Sequence, residues 1–230
     1  MDMCISASSE RKVRKAEVLS ERLILRPNPR TLTKERIRDL LLKEIDAIAN
    51  IPVEGDILKA IELIYQQVHE KHGKVVVSGM GKAGQIGVNI ATTLSSTGTP
   101  AVFIHPAEAQ HGDLGLVQAN DVILAISNSG KTREVVELEY LSKQLYPDIK
   151  FILLTGNKDT ELADRANVVI YTGGPKEICP LGLTPTTSTT VMTVAGDILV
   201  VLMMEKIGFT KADYAKRHHS GYLGQKAKEE

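Results

Sequence analysis

Apolar side chains follow a helical spacing near the start of the chain and a strand-like pattern after it. Between Thr33 and Ala49 they recur every three or four residues, which predicts a helix with Thr33 as its N-cap. A second helix is predicted over residues 55–71, ended by Gly73. From Lys74 onward, short apolar runs alternate with helical segments. The predicted strands are 74–78, 100–104, 121–126, 149–154 and 167–171, and the predicted helices are 83–97, 131–145, 159–165 and 187–207.

This alternation predicts an α/β fold built on a parallel sheet. Strands that are apolar throughout are typical of a sheet covered by helices on both faces. Functional sites in such sheets lie at the carboxyl ends of the strands. We expect one domain over residues 33–225, a partly ordered arm over residues 1–32 with a short helix near residues 15–24, and a tail over residues 226–230.

The composition is that of an ordinary soluble domain. Lysine plus arginine and aspartate plus glutamate both total 28, so no overall positive charge favours binding to a nucleic acid. The two cysteines, Cys4 and Cys179, form no disulfide framework and favour a reducing, cytoplasmic compartment. The apolar run from Val191 to Met204 contains Asp197 and is too short to span a bilayer, so it predicts a buried helix.

The most informative turn follows the predicted strand 121–126. Three hydroxyl side chains and a glycine occupy the point where this strand passes into a helix. Free N–H groups and the positive end of the helix dipole make such a point a seat for phosphate. An ordinary capped helix would give a similar pattern, so the turn alone does not decide. The candidate phosphate ligands are Ser127, Asn128, Ser129 and Thr132.

A glycine-rich turn follows the first predicted strand. Gly79, Gly81 and Gly84 have the spacing of a dinucleotide fingerprint, but no acidic residue ends the next strand as that fingerprint requires. Lys82 lies inside the turn and offers another use, as a cation facing a bound anion.

A metal site is the second chemical hypothesis. His111 and Asp113 follow the second strand, and His111 is the best candidate ligand, for example for zinc. The alternative is a structured loop in which these side chains make hydrogen bonds.

Eight motifs occur in order along the chain, at residues 79–84, 95–100, 105–109, 111–115, 126–130, 179–180, 185–189 and 196–197. Together they resemble the sugar isomerase (SIS) domain family and, within it, the D-arabinose 5-phosphate isomerases of the type without CBS modules. The resemblance covers roughly residues 35–225. It implies a three-layer α/β/α sandwich with a five-stranded parallel, flavodoxin-like sheet, plus N-terminal helices.

The resemblance also implies roles for individual residues. Four match the family's catalytic positions: Lys82, Glu134, Glu177 and His218. His218 would come from a neighbouring subunit of a homotetramer. Gly81 joins the hydroxyl turn as a substrate-binding residue, and His111 matches a metal-sensitive histidine. No cofactor is expected to be required, and the partner is a small sugar phosphate rather than a nucleic acid or a membrane.

The implied reaction interconverts D-arabinose 5-phosphate and D-ribulose 5-phosphate through a cis-enediol. It requires a base, a group that polarises the carbonyl and a proton relay between two oxygens. Glu177 or Glu134 is the base, His218 acts at the sugar oxygens, and Lys82 stabilises the oxyanion. We prefer Glu177, because a carboxylate in the first turn of a helix, as expected for Glu134, has its pKa lowered. The alternatives are a phosphosugar-binding regulatory domain and an isomerase of a different sugar phosphate.

Overall fold

The computed structural model describes residues 32–53 and 56–219, together with Tyr222 and Lys226. The short helix expected near residues 15–24 and most of the expected tail lie outside the described residues. Contacts divide the chain into a unit of residues 1–42 and a larger unit of residues 43–230. In the first unit, the Thr33 hydroxyl accepts a hydrogen bond from the Arg36 N–H at 3.1 Å, which confirms the predicted N-cap.

Strands and helices alternate as the apolar pattern predicts, and each predicted strand is confirmed to within one residue. The second predicted helix ends as a π-helix, and α4, α8 and a 3₁₀ turn were not predicted. The elements in chain order are α1 (Lys34–Ala49), α2 (Asp56–Ile64), the π-helix (Tyr65–Glu70), β1 (Val75–Gly79), α3 (Gly81–Ser96), β2 (Ala101–Ile104), α4 (Pro106–Ala109), the 3₁₀ turn (Asp113–Leu116), β3 (Val122–Ile126), α5 (Arg133–Leu145), β4 (Lys150–Thr155), α6 (Glu161–Arg165), β5 (Val168–Tyr171), α7 (Thr187–Lys206) and α8 (Lys211–Arg217).

The five strands form one parallel sheet in the order β2-β1-β3-β4-β5. After β1 the chain forms β2 on one side of it, and then returns to form β3, β4 and β5 on the other side. The strand order therefore reverses between β1 and β3. The register pairs Gly79 with Ile126, which places the carboxyl ends of these two strands side by side. Ligands of open parallel sheets bind at such a reversal, so the fold locates the site before any side chain is considered.

Two apolar cores lie on opposite faces of the sheet, which confirms the three-layer arrangement. Val75 and Val77 point into the core that also contains residues of α2, the π-helix, α3 and α7. Val76, between them, points into the core shared with α4, α5 and α6. Successive side chains of a strand face opposite ways, so a sheet covered on both faces needs apolar residues at every position. This is why the strands appear in the sequence as unbroken apolar runs.

The helix α7 is apolar on most of its surface because it is packed inside the protein. Its length and composition alone would let it cross a membrane, but half of its apolar window is buried. A Cβ atom added at Gly196 would lie 2.5 Å from Cδ1 of Ile90 on α3, so the two helices approach closely. The predicted buried helix is therefore confirmed, and its N-terminus is held at the carboxyl edge of the sheet.

Candidate functional site

A cleft of about 330 Å³ opens beside the carboxyl ends of β1 and β3. The starts of three helices, α3, α5 and α7, face it. The positive ends of their dipoles favour an anion there. The lining residues are Met80, Lys82, Ala83, Ile126, Ser127, Asn128, Ser129, Thr132, Pro185, Ser188, Thr189 and Met192.

The hydroxyl turn is not an ordinary helix cap. Thr132 occupies the N-cap position of α5, yet its side chain makes no capping hydrogen bond. Its Oγ1 instead lies 2.8 Å from Oγ of Ser127, which is buried at the end of β3. The Val135 N–H donates to the Thr132 carbonyl oxygen at 3.1 Å, and the Arg133 and Glu134 N–H groups at the start of α5 remain available to a ligand. This geometry favours the phosphate interpretation over the capped-helix interpretation.

Backbone geometry holds the turn in this shape. Gly130 has φ of +64°, and a Cβ atom there would lie 2.8 Å from Oγ1 of Thr160. Both features favour glycine at this position. The Lys131 N–H donates to Oγ of Ser129 at 3.1 Å, which closes the turn from within.

The glycine-rich turn brings Lys82 to the same cleft. A Cβ atom at Gly84 would lie 2.5 Å from the Gly79 carbonyl oxygen, so close packing of α3 on β1 requires glycine. Met80, the N-cap of α3, supplies no side-chain cap. Lys82 is exposed to the cleft and makes no hydrogen bond or ion pair with any described residue. Its ammonium is thus free to meet an anion.

The Glu177 carboxylate holds the start of α7. Its Oε2 accepts hydrogen bonds from the Thr186 N–H at 2.7 Å, from the Thr186 hydroxyl at 2.9 Å and from the Ser188 N–H at 3.3 Å. Burial alone would raise the pKa of Glu177, but the hydrogen bonds from Ser188 and Thr186 outweigh it and hold the pKa below 4.5. These hydrogen bonds favour the ionised form of Glu177, and the carboxylate contacts Ser188, which lines the cleft.

This position removes the electrostatic reason for preferring Glu177 to Glu134 as a base. Glu177 itself sits at a helix start, the environment in which a carboxylate is a weakened base. Glu134 lies half-buried in the first turn of α5, two residues after Thr132. Neither glutamate is among the residues lining the cleft.

His111 does not gather metal ligands within the described part of the chain. It follows α4 in an exposed turn, and Asp113 is exposed as well. No group of three or more histidine, cysteine, aspartate or glutamate side chains is placed to hold a metal ion among the described residues. The geometry of one subunit thus does not fit a zinc site, and zinc at His111 stays a prediction.

His218 is not among the residues that line the cleft. It follows α8, stacked on Tyr214 with ring centroids 3.7 Å apart, and its Nδ1 lies 3.1 Å from the Tyr214 carbonyl oxygen. The 20 residues of α7 separate this region from the cleft, a length of about 30 Å at 1.5 Å per residue. The described structure therefore does not bring His218 together with the lining residues Lys82 and Ser127 within one chain.

Several residues that form the site had no role assigned to them from the sequence. Ser188 and Thr189 line the cleft, and Thr186 holds Glu177. The signal was the hydroxyl-rich run 184–190 before a long apolar helix. That run indicated a helix start but not which partners its hydroxyls would meet.

Comparison with known proteins agrees with this geometry. The SIS domain model matches residues 68–202. An arabinose 5-phosphate isomerase KdsD from Pseudomonas aeruginosa is 46% identical over 185 residues, covering 80% of this chain and 55% of that protein. A solved structure of a candidate phosphosugar isomerase involved in capsule formation from Bacteroides fragilis is 61% identical, with a TM-score of 0.80, covering 82% of this chain and 98% of that one.

A second solved structure, an E. coli CFT073 protein in complex with arabinose 5-phosphate, is 32% identical with a TM-score of 0.71. It covers 81% of this chain and all of that one. The chain spans about half the length of the curated relatives that it matches. The family model covers more than half of this chain, and its matched segment contains the hydroxyl turn, Lys82 and the start of α7. The chain belongs to the SIS domain family.

Proposed function

We propose that this protein is an aldose–ketose isomerase that interconverts D-arabinose 5-phosphate and D-ribulose 5-phosphate through a cis-enediol. The observation that carries the proposal is the uncapped start of α5, where Thr132 is turned toward Ser127, in the same cleft as Lys82, whose ammonium pairs with none of the described residues. The arrangement offers one end suited to a phosphate and another suited to a developing oxyanion. The relatives named KdsD and the E. coli structure containing arabinose 5-phosphate support this substrate.

The phosphate end uses neutral donors. The side chains of Ser127, Asn128, Ser129 and Thr132 line the cleft next to the first turn of α5. Hydroxyl and N–H donors together with a helix dipole bind a phosphate without a dedicated cation. Gly81 belongs to the substrate-binding turn as a backbone element beside Lys82. This leaves Lys82 for the carbonyl end of the substrate.

At the carbonyl end, Glu177 removes the proton that moves between C1 and C2. The three hydrogen bonds from Thr186 and the Ser188 N–H all go to Oε2. Oε2 thus anchors the group, and Oε1 is the oxygen that acts on the substrate. Lys82 stabilises the negative oxygen of the enediolate, and Glu134 orients a substrate hydroxyl.

His218 acts at the sugar oxygens from a neighbouring subunit of a homotetramer. The length of α7 supports this, since it keeps the histidine of one chain away from the cleft of the same chain. Closed assemblies repeat the same contact in every subunit, so each site would receive one histidine.

We also propose that the enzyme is cytoplasmic and supplies 3-deoxy-D-manno-octulosonic acid synthesis for lipopolysaccharide or capsule, in line with the capsule role given for the relative from Bacteroides fragilis.

We propose that turnover requires no metal, because Lys82 and the helix dipoles already supply positive charge. The test is incubation of the protein with each pentose 5-phosphate, before and after treatment with a chelator, with the aldose and the ketose quantified. Interconversion that survives the chelator is the expected result. Tight binding of a sugar phosphate without turnover would instead support a regulatory binding domain. Faster turnover of another sugar phosphate than of these pentose 5-phosphates would show an isomerase of different substrate specificity.

Solvent deuterium tests the base. The substrate should incorporate deuterium at C2 with wild-type protein, and the Glu177→Gln variant should lose this exchange. If Glu177→Gln exchanges normally and Glu134→Gln does not, Glu134 is the base.

A further inference from the structure

The loop that carries Glu177 is attached to the C-terminal part of α1 through one buried hydroxyl. The Thr187 side chain is 1% exposed. Its Oγ1 donates to Oε1 of Glu44 at 2.9 Å and accepts from the Ile178 N–H at 3.3 Å. Ile178 directly follows Glu177, so a chain of contacts connects Glu44 to the backbone of the candidate base.

The chemistry of these groups determines the direction of each hydrogen bond. An N–H can only donate, so the Ile178 N–H occupies a lone pair of Thr187 and leaves its single hydroxyl proton for Oε1 of Glu44. The lone pairs of Thr187 then face the Ile178 N–H, which can only donate. Without Glu44, the hydroxyl could rotate and direct its proton elsewhere. Glu44 therefore sets the orientation in which Thr187 holds Ile178.

Further contacts show that the end of α1 and this loop are built together. A Cβ atom at Gly173, where the loop begins, would lie 3.1 Å from the Asn50 carbonyl oxygen directly after α1. The second carboxylate oxygen of Glu44, Oε2, is buried and has no hydrogen-bond partner among the described residues. A buried unpartnered oxygen opposes stability, so stability alone does not account for a carboxylate at this position.

We infer that Glu44 and Thr187 are positioning residues for Glu177. Two anchors then act on neighbouring residues: Thr186 and Ser188 hold the carboxylate, while Glu44 and Thr187 hold the backbone after it. The hydrogen bonds to the Glu177 carboxylate alone leave the peptide between Glu177 and Ile178 free to tilt. With both, Oε1 of Glu177 keeps one direction relative to the cleft. This inference rests on the proposed role of Glu177 in isomerisation.

The test compares Glu44→Ala, Glu44→Gln and Thr187→Val in the full chain. Glu44→Ala removes the acceptor, and we expect kcat to fall about tenfold, because small misplacement of a catalytic group has large effects on rate. KM should change less than about twofold, since the phosphate seat lies on other elements. Glu44→Gln keeps an acceptor oxygen and should restore kcat. Glu205→Ala, an exposed glutamate near the end of α7, is the matched control.

Thr187→Val preserves the branched shape of the buried side chain and removes both hydrogen bonds, so it tests the inference even if Glu44→Ala does not fold. It should lower kcat as Glu44→Ala does, and the double variant Glu44→Ala/Thr187→Val should be no worse than either. Equal loss in Glu44→Gln and Glu44→Ala would overturn the inference, as would additive losses in the double variant.

Amide hydrogen exchange of Ile178 separates this inference from the proposed function. The measurement needs no substrate, and exchange should be faster in Glu44→Ala and Thr187→Val than in wild type or Glu205→Ala. If wild-type protein turns over neither pentose phosphate, the proposed function fails while the exchange result still decides whether Glu44 holds the loop. Unchanged Ile178 exchange in both variants would show that the two residues do not position it.

Discussion

The hydroxyl oxygens of Ser127 and Thr132 lie 2.8 Å apart, so the two ends of the turn after β3 are joined directly. Because Thr132 is engaged in this way, it does not cap the helix it precedes. A sequence of this kind normally predicts a cap, which would occupy the N–H groups that a phosphate needs. The contact between these two hydroxyls is what keeps the start of α5 open.

Substrate binding should depend on this pair. Thr132→Val removes the hydroxyl and should raise KM for the pentose phosphate about ten- to a hundredfold, the usual range for a hydrogen bond to a charged group. The thermal midpoint should fall modestly in Thr132→Val, because the buried Ser127 hydroxyl loses its partner 2.8 Å away. Steady-state kinetics on Thr132→Val and Thr132→Ser test this, with Thr92→Val as a control on the exposed side of α3. An unchanged KM in Thr132→Val would show that the phosphate binds elsewhere.

Stability should depend on pH through Glu177. Its pKa in the folded protein is below the ordinary value of 4.5, so the folded state resists protonation more than the unfolded state does. The stabilising contribution is present above pH 4.5 and is lost as the pH falls through the folded pKa. Glu177→Gln should therefore lose less stability on acidification than wild type does. Urea unfolding on both sides of pH 4.5 measures the difference, and Glu205→Gln should behave like wild type.

Close packing of α3 on β1 should make Gly84 intolerant of a side chain. A Cβ atom there would lie 2.5 Å from a backbone oxygen of Gly79, which cannot rotate away. Gly84→Ala should lower the free energy of unfolding by about 1–3 kcal/mol, the usual range for overpacking. Gly115→Ala is the matched control, because a Cβ atom at Gly115 would meet no atom within 4 Å. Equal stabilities of the two variants would contradict this packing argument.

Mixing two inactive variants should restore activity if His218 serves a neighbouring site. In Lys82→Met the cleft lacks its cation. In His218→Ala the chain lacks the histidine that would act in the cleft of a neighbouring subunit. After dissociation and random reassembly, about a quarter of the sites would combine an intact Lys82 with a partner's intact His218. Activity should rise toward that fraction, whereas each variant reassembled alone should stay inactive. No recovery in assemblies shown to be mixed would indicate that each chain uses its own histidine.

The order of elements, and the chemistry at several of their ends, could be predicted from the residues alone. Continuous apolar runs separated by helical spacing are sufficient for a parallel sheet covered on both faces, because each buried strand must be apolar at every position. The hydroxyl turn at Ser127 and the cation at Lys82 were visible because both closely follow a strand. Local patterns of this kind depend on neighbouring residues, and the sequence displays them directly.

Which groups meet in space could be learned only from the folded chain. Glu44 and Thr187 are 143 residues apart, and no local pattern links them. The low pKa of Glu177 likewise arises from donors that follow it by nine and eleven residues across an irregular loop. The separation of His218 from the cleft depends on the course of α7. Spacing along the chain sets periodicity, whereas hydrogen-bond partners and pKa values depend on distances in space, which only tertiary packing defines.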